Sequence, residues 1–333
     1  MNVNSKTILA YSDPAGFNII CAIIDKFIKA KKRLNEDYKV FTNPEGIIDK
    51  KYSSYIKVIS NSVRDVEKEI DEFLPDKIFT ATSVNNFEHL WRISSKKKKI
   101  RIESFVDHWT GIKKRFFFSN KLVYPDVIFL INNEAKKIAI SEGIPEEIIF
   151  IKNNPYYEKV KNFKPNISRS SFLNDVKVNP KQKIILYVSD KIKNTSIFSD
   201  LGFDELSVFE DLMGSLNYLK ETKKVKIYNF IIIVKLHPRE NKKKYIDIIE
   251  KKKYQNIKLV KFYDPLTINY YSDIVIGTFS NMIIESYLLK KPLLRVQIGI
   301  KKEDPLRFNL LMNRFISNSI LLNQELEKLL LNS

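Results

Sequence analysis

The stretch FIIIVKLHPRE, Phe230 to Glu240, is where the fold of this chain is most legible. Phe230, three isoleucines and Val234 follow one another with no polar alternation. That pattern belongs to a strand buried on both faces of a parallel sheet. The run ends on Lys235, Leu236, His237 and Pro238, with Arg239 next. Proline fixes the backbone and lacks a ladder donor, so the strand is expected to stop there. His237, one of only three histidines, would then project from the strand's carboxyl end between two cations.

Working outward, the same alternation recurs. KIILYVSD and ELSVFEDLMGSLNYLKET precede the stretch, a strand and then a helix. NKKKYIDIIEKKK, IKLVKF, PLTINYYS, DIVIG, SNMIIESYLLKK and PLLRVQI follow it as helices and strands in turn. The first half repeats the pattern from KTILAYSD and FNIICAIIDKFIKAKKR through DKIFTATS, KIRIESFVDHW and PDVIFLIN to IIFIKNNP. Alternating strands and helices imply right-handed β-α-β crossovers and parallel sheets. Residues 155–180 are polar and aperiodic, and the domain boundary is placed at their start. The expected fold is α/β, with two Rossmann-like doubly wound domains, 1–155 and 156–333, facing a cleft.

Composition narrows the class. At 333 residues with 44% hydrophobic content, the chain can fill two cores. Its single cysteine, Cys21, lies in the apolar run IICAII and excludes a disulfide framework within one chain. No apolar run approaches a bilayer span, and the first residues lack the pattern of a secretory signal. A cytoplasmic protein is expected, with peripheral contact at the inner membrane face as one use of its charge.

That charge is the one extreme of the composition. Lys plus Arg number 57 against 39 for Asp plus Glu, a formal +18. Nucleic acid, an anionic membrane surface, an anionic substrate or plain lysine-rich solvated faces would each suit it. The cations fall in short clusters without interleaved aromatics, which disfavours nucleic acid.

Ligands of doubly wound sheets bind at the carboxyl ends of the strands, so chemistry is expected in those loops. His237 with Pro238 and Arg239 can contact a phosphate or a base, or His237 can merely cap the next helix. GTFSNMIIES puts Thr278, Ser280 and Asn281 beside free helix N–H groups after Gly277, an anion site or an ordinary cap by Ser280. Asp264 in KFYDPLTI can hold ribose hydroxyls or initiate a turn. In the first half, Asp13 in YSDPAGFN and Asp107 with His108 in VDHW are the candidate acid–base residues. Trp109 beside them can stack on a sugar or belong to the core. His89 reads as a helix-face residue. No Cys/His zinc spacing, phosphate-loop motif or Gly-x-Gly-x-x-Gly occurs, so no metal or cofactor is expected.

The KLHPRE strand end, Asp264 one unit later and GTFSN before a helix resemble the donor half of bacterial GT-B glycosyltransferases, sialyltransferases and capsule-polysaccharide transferases among them. The NNPYYE segment is similar to the Gly-Asn-Pro hinge of that fold, with Asn153 where glycine is usual. The resemblance implies that His237 and Pro238 contact the nucleotide, that Asp264 holds the ribose, and that Thr278 and Ser280 bind phosphate. It implies a metal-independent transferase with a nucleotide-sugar donor, a CMP-linked acidic sugar by preference, and a glycan or glycolipid acceptor in surface polysaccharide synthesis. The family's base motif, two acids followed by glycine, is not reproduced, which leaves Asp13 and Asp107 both open. A CDP-polyol phosphotransferase, a UDP-sugar transferase and a non-hydrolysing UDP-sugar epimerase share parts of this layout. A non-catalytic polyanion-binding protein is the alternative of another class.

Overall fold

The computed structural model describes residues 5–83, 86–109, 111–119, 121–193, 198, 200–222, 230–307, 312 and 314–332. The chain divides into two compact units, residues 1–159 and 160–333.

In the first unit the elements run β1 (Thr7–Ala10), α1 (Pro14–Lys29), β2 (Tyr38–Thr42), β3 (Ile56–Val58), α2 (Val63–Phe73), β4 (Lys77–Thr80), α3 (Phe87–Lys97) and β5 (Arg101–Val106). A short antiparallel pair, β6 (Phe117–Phe118) and β7 (Lys121–Leu122), precedes β8 (Val127–Leu130), α4 (Asn133–Ser141) and β9 (Ile149–Ile151). The sheet is seven-stranded, in the order β3-β2-β1-β4-β5-β8-β9, and every pairing in it is parallel. The order reverses between β1 and β4, so the switch point lies at their carboxyl ends.

Local sequence explains the turns around that point. Asp13 caps α1 by accepting the Gly16 N–H at 2.7 Å, and Pro14 occupies the first turn. A Cβ at Gly16 would stand 2.7 Å from Ala81 Cβ and 3.0 Å from Asp13 Oδ1, so only glycine allows this approach. Ile19, Ile20 and Ile24 bury one face of α1 on the sheet, each worth roughly 1.5–3 kcal/mol of burial.

The second unit repeats the plan. α5 (Pro155–Lys161) spans the division and is followed by α6 (Arg169–Asp175), β10 (Lys183–Val188), α7 (Glu205–Glu221), β11 (Phe230–Lys235) and α8 (Lys243–Lys252). Then come β12 (Ile257–Val260), α9 (Pro265–Tyr271), β13 (Ile274–Gly277), α10 (Asn281–Leu288), β14 (Leu293–Arg295) and α11 (Ser319–Asn332). Its five strands lie in the order β12-β11-β10-β13-β14, all parallel. The switch point here is between β10 and β13. Ile232, Ile233 and Val234 are buried in the middle of the sheet, as an unbroken apolar run requires.

One expectation changes. The stretch 155–180 is not structureless: it carries α5 and α6, and the units part after Lys159. Ser168 caps α6 with its hydroxyl, and Phe172 and Leu173 bury its inner face, too few apolar positions to show a period in a polar stretch. The terminal helix α11 belongs to the second unit, where Leu322, Leu326 and Leu330 join the core formed with α7.

Candidate functional site

In the first unit, two strand ends bring the candidate acid–base residues together. Asp13 follows β1, while Asp107 and His108 follow β5. Burial, with the nearby charge of Asp107 adding to it, raises the Asp13 pKa to about 6 even though the Gly16 N–H and Arg115 oppose the rise. His108 is held below its ordinary value by burial and by Arg115, against the pull of Asp107. Arg115 donates through Nη1 to the Thr82 carbonyl at 3.2 Å, so the guanidinium is fixed at the end of β4.

Beneath these groups lies an acid that sequence reasoning missed. Glu88 on α3 is 1% exposed. Its carboxylate accepts the Ser12 hydroxyl at 2.9 Å and the Ser83 hydroxyl at 2.7 Å. Ser12 and Ser83 are themselves 2.8 Å apart, across the β1–β4 switch point. Burial carries the Glu88 pKa up to about 7, with the hydroxyl donors opposing it and Asp13 adding to it. One turn on, Arg92 is fully buried and its pKa falls to about 10 through burial, with Glu88 opposing. Arg92 Nη2 bonds the Arg115 carbonyl at 3.0 Å and lies 2.7 Å from His89 Nδ1. His89 lies on α3 as expected, on its buried face as a partner of Arg92. Trp109 is core: it is buried and donates Nε1–H to Asn132 Oδ1 at 3.1 Å.

The second unit is built differently. The His237–Glu240 turn is closed twice, by Glu240 N–H to the His237 carbonyl at 2.9 Å and by His237 N–H to Glu240 Oε2 at 2.6 Å. The Arg239 N–H donates to His237 Nδ1 at 3.1 Å, which assigns the ring proton to Nε2. Burial and the cations Arg239, Lys191, Lys235 and Lys244 lower the His237 pKa to about 4. At neutral pH His237 is therefore an uncharged donor.

Glu240 is buried, accepts the Ser189 hydroxyl at 2.8 Å and pairs with Lys244 at 2.6 Å. Lys244 also bonds Glu205, whose carboxylate accepts Ile192 N–H at 3.0 Å and Lys193 N–H at 2.8 Å. This network ties the loop after β10 to the turn after β11. Pro238 and Arg239 are exposed, and Arg239 lines a shallow cavity with Lys242, Lys258, Lys261, Phe262 and Tyr263.

At the switch point, Asp190 follows β10 and Thr278 follows β13. The Thr278 hydroxyl donates to Asp190 Oδ2, and Phe279 N–H approaches the same oxygen at 3.4 Å. Ser280 takes the N-cap backbone conformation of α10 without a side-chain capping bond, and Asn281 is exposed in the first turn. Gly277 is obligatory, since a Cβ there would meet Ile283 Cδ1 at 2.7 Å and the Val188 carbonyl at 3.0 Å. Arg295 Nε holds the Thr278 carbonyl at 2.9 Å from within a buried pair with Asp304. Asp264 stands apart as the exposed cap of α9, accepting Thr267 N–H at 2.7 Å.

His237, Thr278 and Ser280 thus lie at strand ends as the sequence predicts, while Asp190, Glu240 and Glu205 are buried groups it did not single out. One signal was available: KTILAYSD, residues 6–13, and KIILYVSD, residues 183–190, both end on Ser-Asp at the first strand of a sheet. Among the described residues, no group of three or more His, Cys, Asp or Glu is placed to hold a metal ion, and no helix is long and apolar enough to cross a membrane.

No protein-family model matches the chain, and no curated protein is detectably similar in sequence. Solved structures match in fold. A UDP-GlcNAc 2-epimerase from Methanocaldococcus jannaschii matches with a TM-score of 0.68 at 17% identity, over 98% of this chain and 93% of the other. A putative UDP-N-acetylglucosamine 2-epimerase from Listeria monocytogenes matches with a TM-score of 0.69 at 11% identity, over 99% and 88%. The Neisseria meningitidis UDP-GlcNAc 2-epimerase bound to UDP-GlcNAc gives a TM-score of 0.66 at 13% identity, over 97% and 91%.

The chain shares their fold. It is the two-unit, parallel-sheet fold that these epimerases have in common with GT-B glycosyltransferases.

Proposed function

We propose that this protein is an enzyme acting on a UDP-sugar, and that it inverts a carbon of the sugar as a non-hydrolysing epimerase does. The observation that carries the reading is the cluster at the strand ends of the first unit, Asp13 after β1 and Asp107 with His108 after β5, near enough that the Asp107 charge bears on both Asp13 and His108. Inverting a C–H centre needs one group to remove a proton from one face and another to return a proton to the opposite face. Groups that hold different protonation states near neutrality suit that task. A transferase needs a single base for its acceptor hydroxyl, which leaves the second acid–base group of this cluster without a role.

In this reading Asp13, Asp107 and His108 handle protons, and Glu88 with Ser12 and Ser83 sets the charge beneath them. The second unit binds the nucleotide. Neutral His237 donates from Nε2, and the loop of Thr278 and Ser280 opening α10 receives a phosphate. Asp264 remains the candidate partner of the ribose, its cap bond to Thr267 leaving one carboxylate oxygen for it. Full-length similarity to three UDP-GlcNAc 2-epimerases supports a uridine nucleotide over the CMP-linked donor that the strand-end motifs suggested.

A thermal-shift panel of UDP, CMP, CDP and GDP tests the nucleotide. Stabilisation by UDP above the others is the expected outcome. Selective stabilisation by CMP or CDP would instead return the reading to a transferase.

A further inference from the structure

We propose that Asp190 is a resident anion in the phosphate-binding loop of the second unit, and that a ligand phosphate is admitted only as this carboxylate gives up its charge. The inference rests on the nucleotide reading above and adds to it a residue that sets affinity.

The geometry is the ground. β10 and β13 are neighbours at the switch point, and their following loops meet there. Two donors of the β13–α10 loop that an incoming phosphate would use, Thr278 Oγ–H and Phe279 N–H, already converge on Asp190 Oδ2. Asp190 is 7% exposed. Among the described residues it forms no ion pair.

The groups facing Asp190 do not neutralise it. Tyr187 lies on its own strand, Tyr245 on α8, and the Glu240 carboxylate comes from the turn after β11. Lys244, the nearest cation of that network, is spent on Glu240 and Glu205. Arg295 reaches the Thr278 carbonyl and Asp304. Consistent with this setting, burial raises the Asp190 pKa to about 6 against its hydrogen-bond donors, and Glu240 adds to the rise.

Two anions cannot share those donors without strong repulsion in so dry a place. A protonated Asp190 removes that repulsion, and its carboxyl O–H becomes a donor to the phosphate. Binding is then coupled to uptake of one proton by Asp190. No bond to the ligand is made or broken.

The test is calorimetric titration of the whole protein with UDP-GlcNAc between about pH 5.5 and about pH 8.5, a window in which its diphosphate keeps a constant charge and His237 stays neutral. Affinity should weaken roughly tenfold per pH unit above about pH 6. Asp190→Asn keeps the acceptor without the charge, and Asp190→Ser removes the carboxylate if the first variant folds poorly. Both should bind without the slope and more tightly than the parent at the alkaline end, and uridine should show no slope with any of the three proteins. A flat profile in the parent, the same slope in both variants, or an equal slope with uridine would each overturn the inference while leaving the nucleotide reading intact. If neither the parent nor the variants bind UDP-GlcNAc at any pH, the nucleotide reading fails and takes this inference with it.

Discussion

His237 donates its backbone N–H to the Glu240 carboxylate at 2.6 Å, and the same carboxylate pairs with Lys244 at 2.6 Å. This one contact explains why the strand stops where it does. Pro238 turns the chain, Glu240 folds back to hold the His237 N–H, and the imidazole is left with only its Nε2–H to offer. A side chain three residues downstream thereby aims the donor.

Glu240 should therefore matter to stability before it matters to binding. Glu240→Ala leaves the Ser189 hydroxyl, the His237 N–H and Lys244 without their shared acceptor. Lys244 keeps Glu205, and the Ser189 hydroxyl keeps Tyr245, so the cost is that of an orphaned buried donor, about 1–3 kcal/mol. Urea denaturation of the parent and the variant measures it, and a loss below about 1 kcal/mol would contradict the network.

His237→Ala should spare the fold and weaken the nucleotide. A hydrogen bond to a charged phosphate is worth about 1.5–3 kcal/mol, or roughly ten- to hundredfold in affinity. Because the ring titrates near pH 4, its contribution should be constant through neutral pH. Titration with UDP at two pH values checks both points, and unchanged affinity in the variant would remove His237 from the site.

Glu88 predicts a pH dependence of stability with a definite sign. Its carboxyl titrates at about 7 in the folded protein against an ordinary 4.5. Between those values the folded chain holds a proton that the unfolded chain has released, so its stability contribution is complete below about pH 4.5 and lost above about pH 7. The swing is about 3 kcal/mol at most. Relative to the parent, Glu88→Gln should gain stability from pH 5 to pH 8, and denaturant melts at the two values would show no change if Glu88 were an ordinary surface acid.

Gly277→Ala tests the close packing at the second switch point. The new methyl would stand 2.7 Å from Ile283 Cδ1 and 3.0 Å from the Val188 carbonyl. Overpacking of this kind costs typically 1–3 kcal/mol. The melting temperature should fall, and nucleotide affinity should fall with it because the loop of Thr278 and Ser280 moves.

Much of the architecture was legible because the central strands β1, β10, β11 and β13 are short apolar runs, each followed by a turn signal. Asp13, Ser62 and Asn132 also mark helix starts by their capping chemistry. The places of His237, Thr278 and Ser280 at strand ends were legible from the sequence as well. The buried acids were not. Glu88 reads as an ordinary first-turn carboxylate until Ser12 and Ser83, 76 and five residues away, are seen to converge on it. Asp190 is likewise unremarkable in sequence until a hydroxyl 88 residues distant finds it. Burial, not residue type, gives these groups their chemistry, and burial is set by the sheet order. Helices α5 and α6 escaped notice for the opposite reason, since each is only seven residues long.

Proton exchange on the sugar is the most direct measure of the central claim. The protein would be incubated with UDP-GlcNAc in heavy water and followed by proton NMR. One ring proton should be replaced by deuterium while the C-epimer accumulates, with both events suppressed in Asp13→Asn. Release of UDP with no ring exchange and no epimer, in the parent protein, would contradict it.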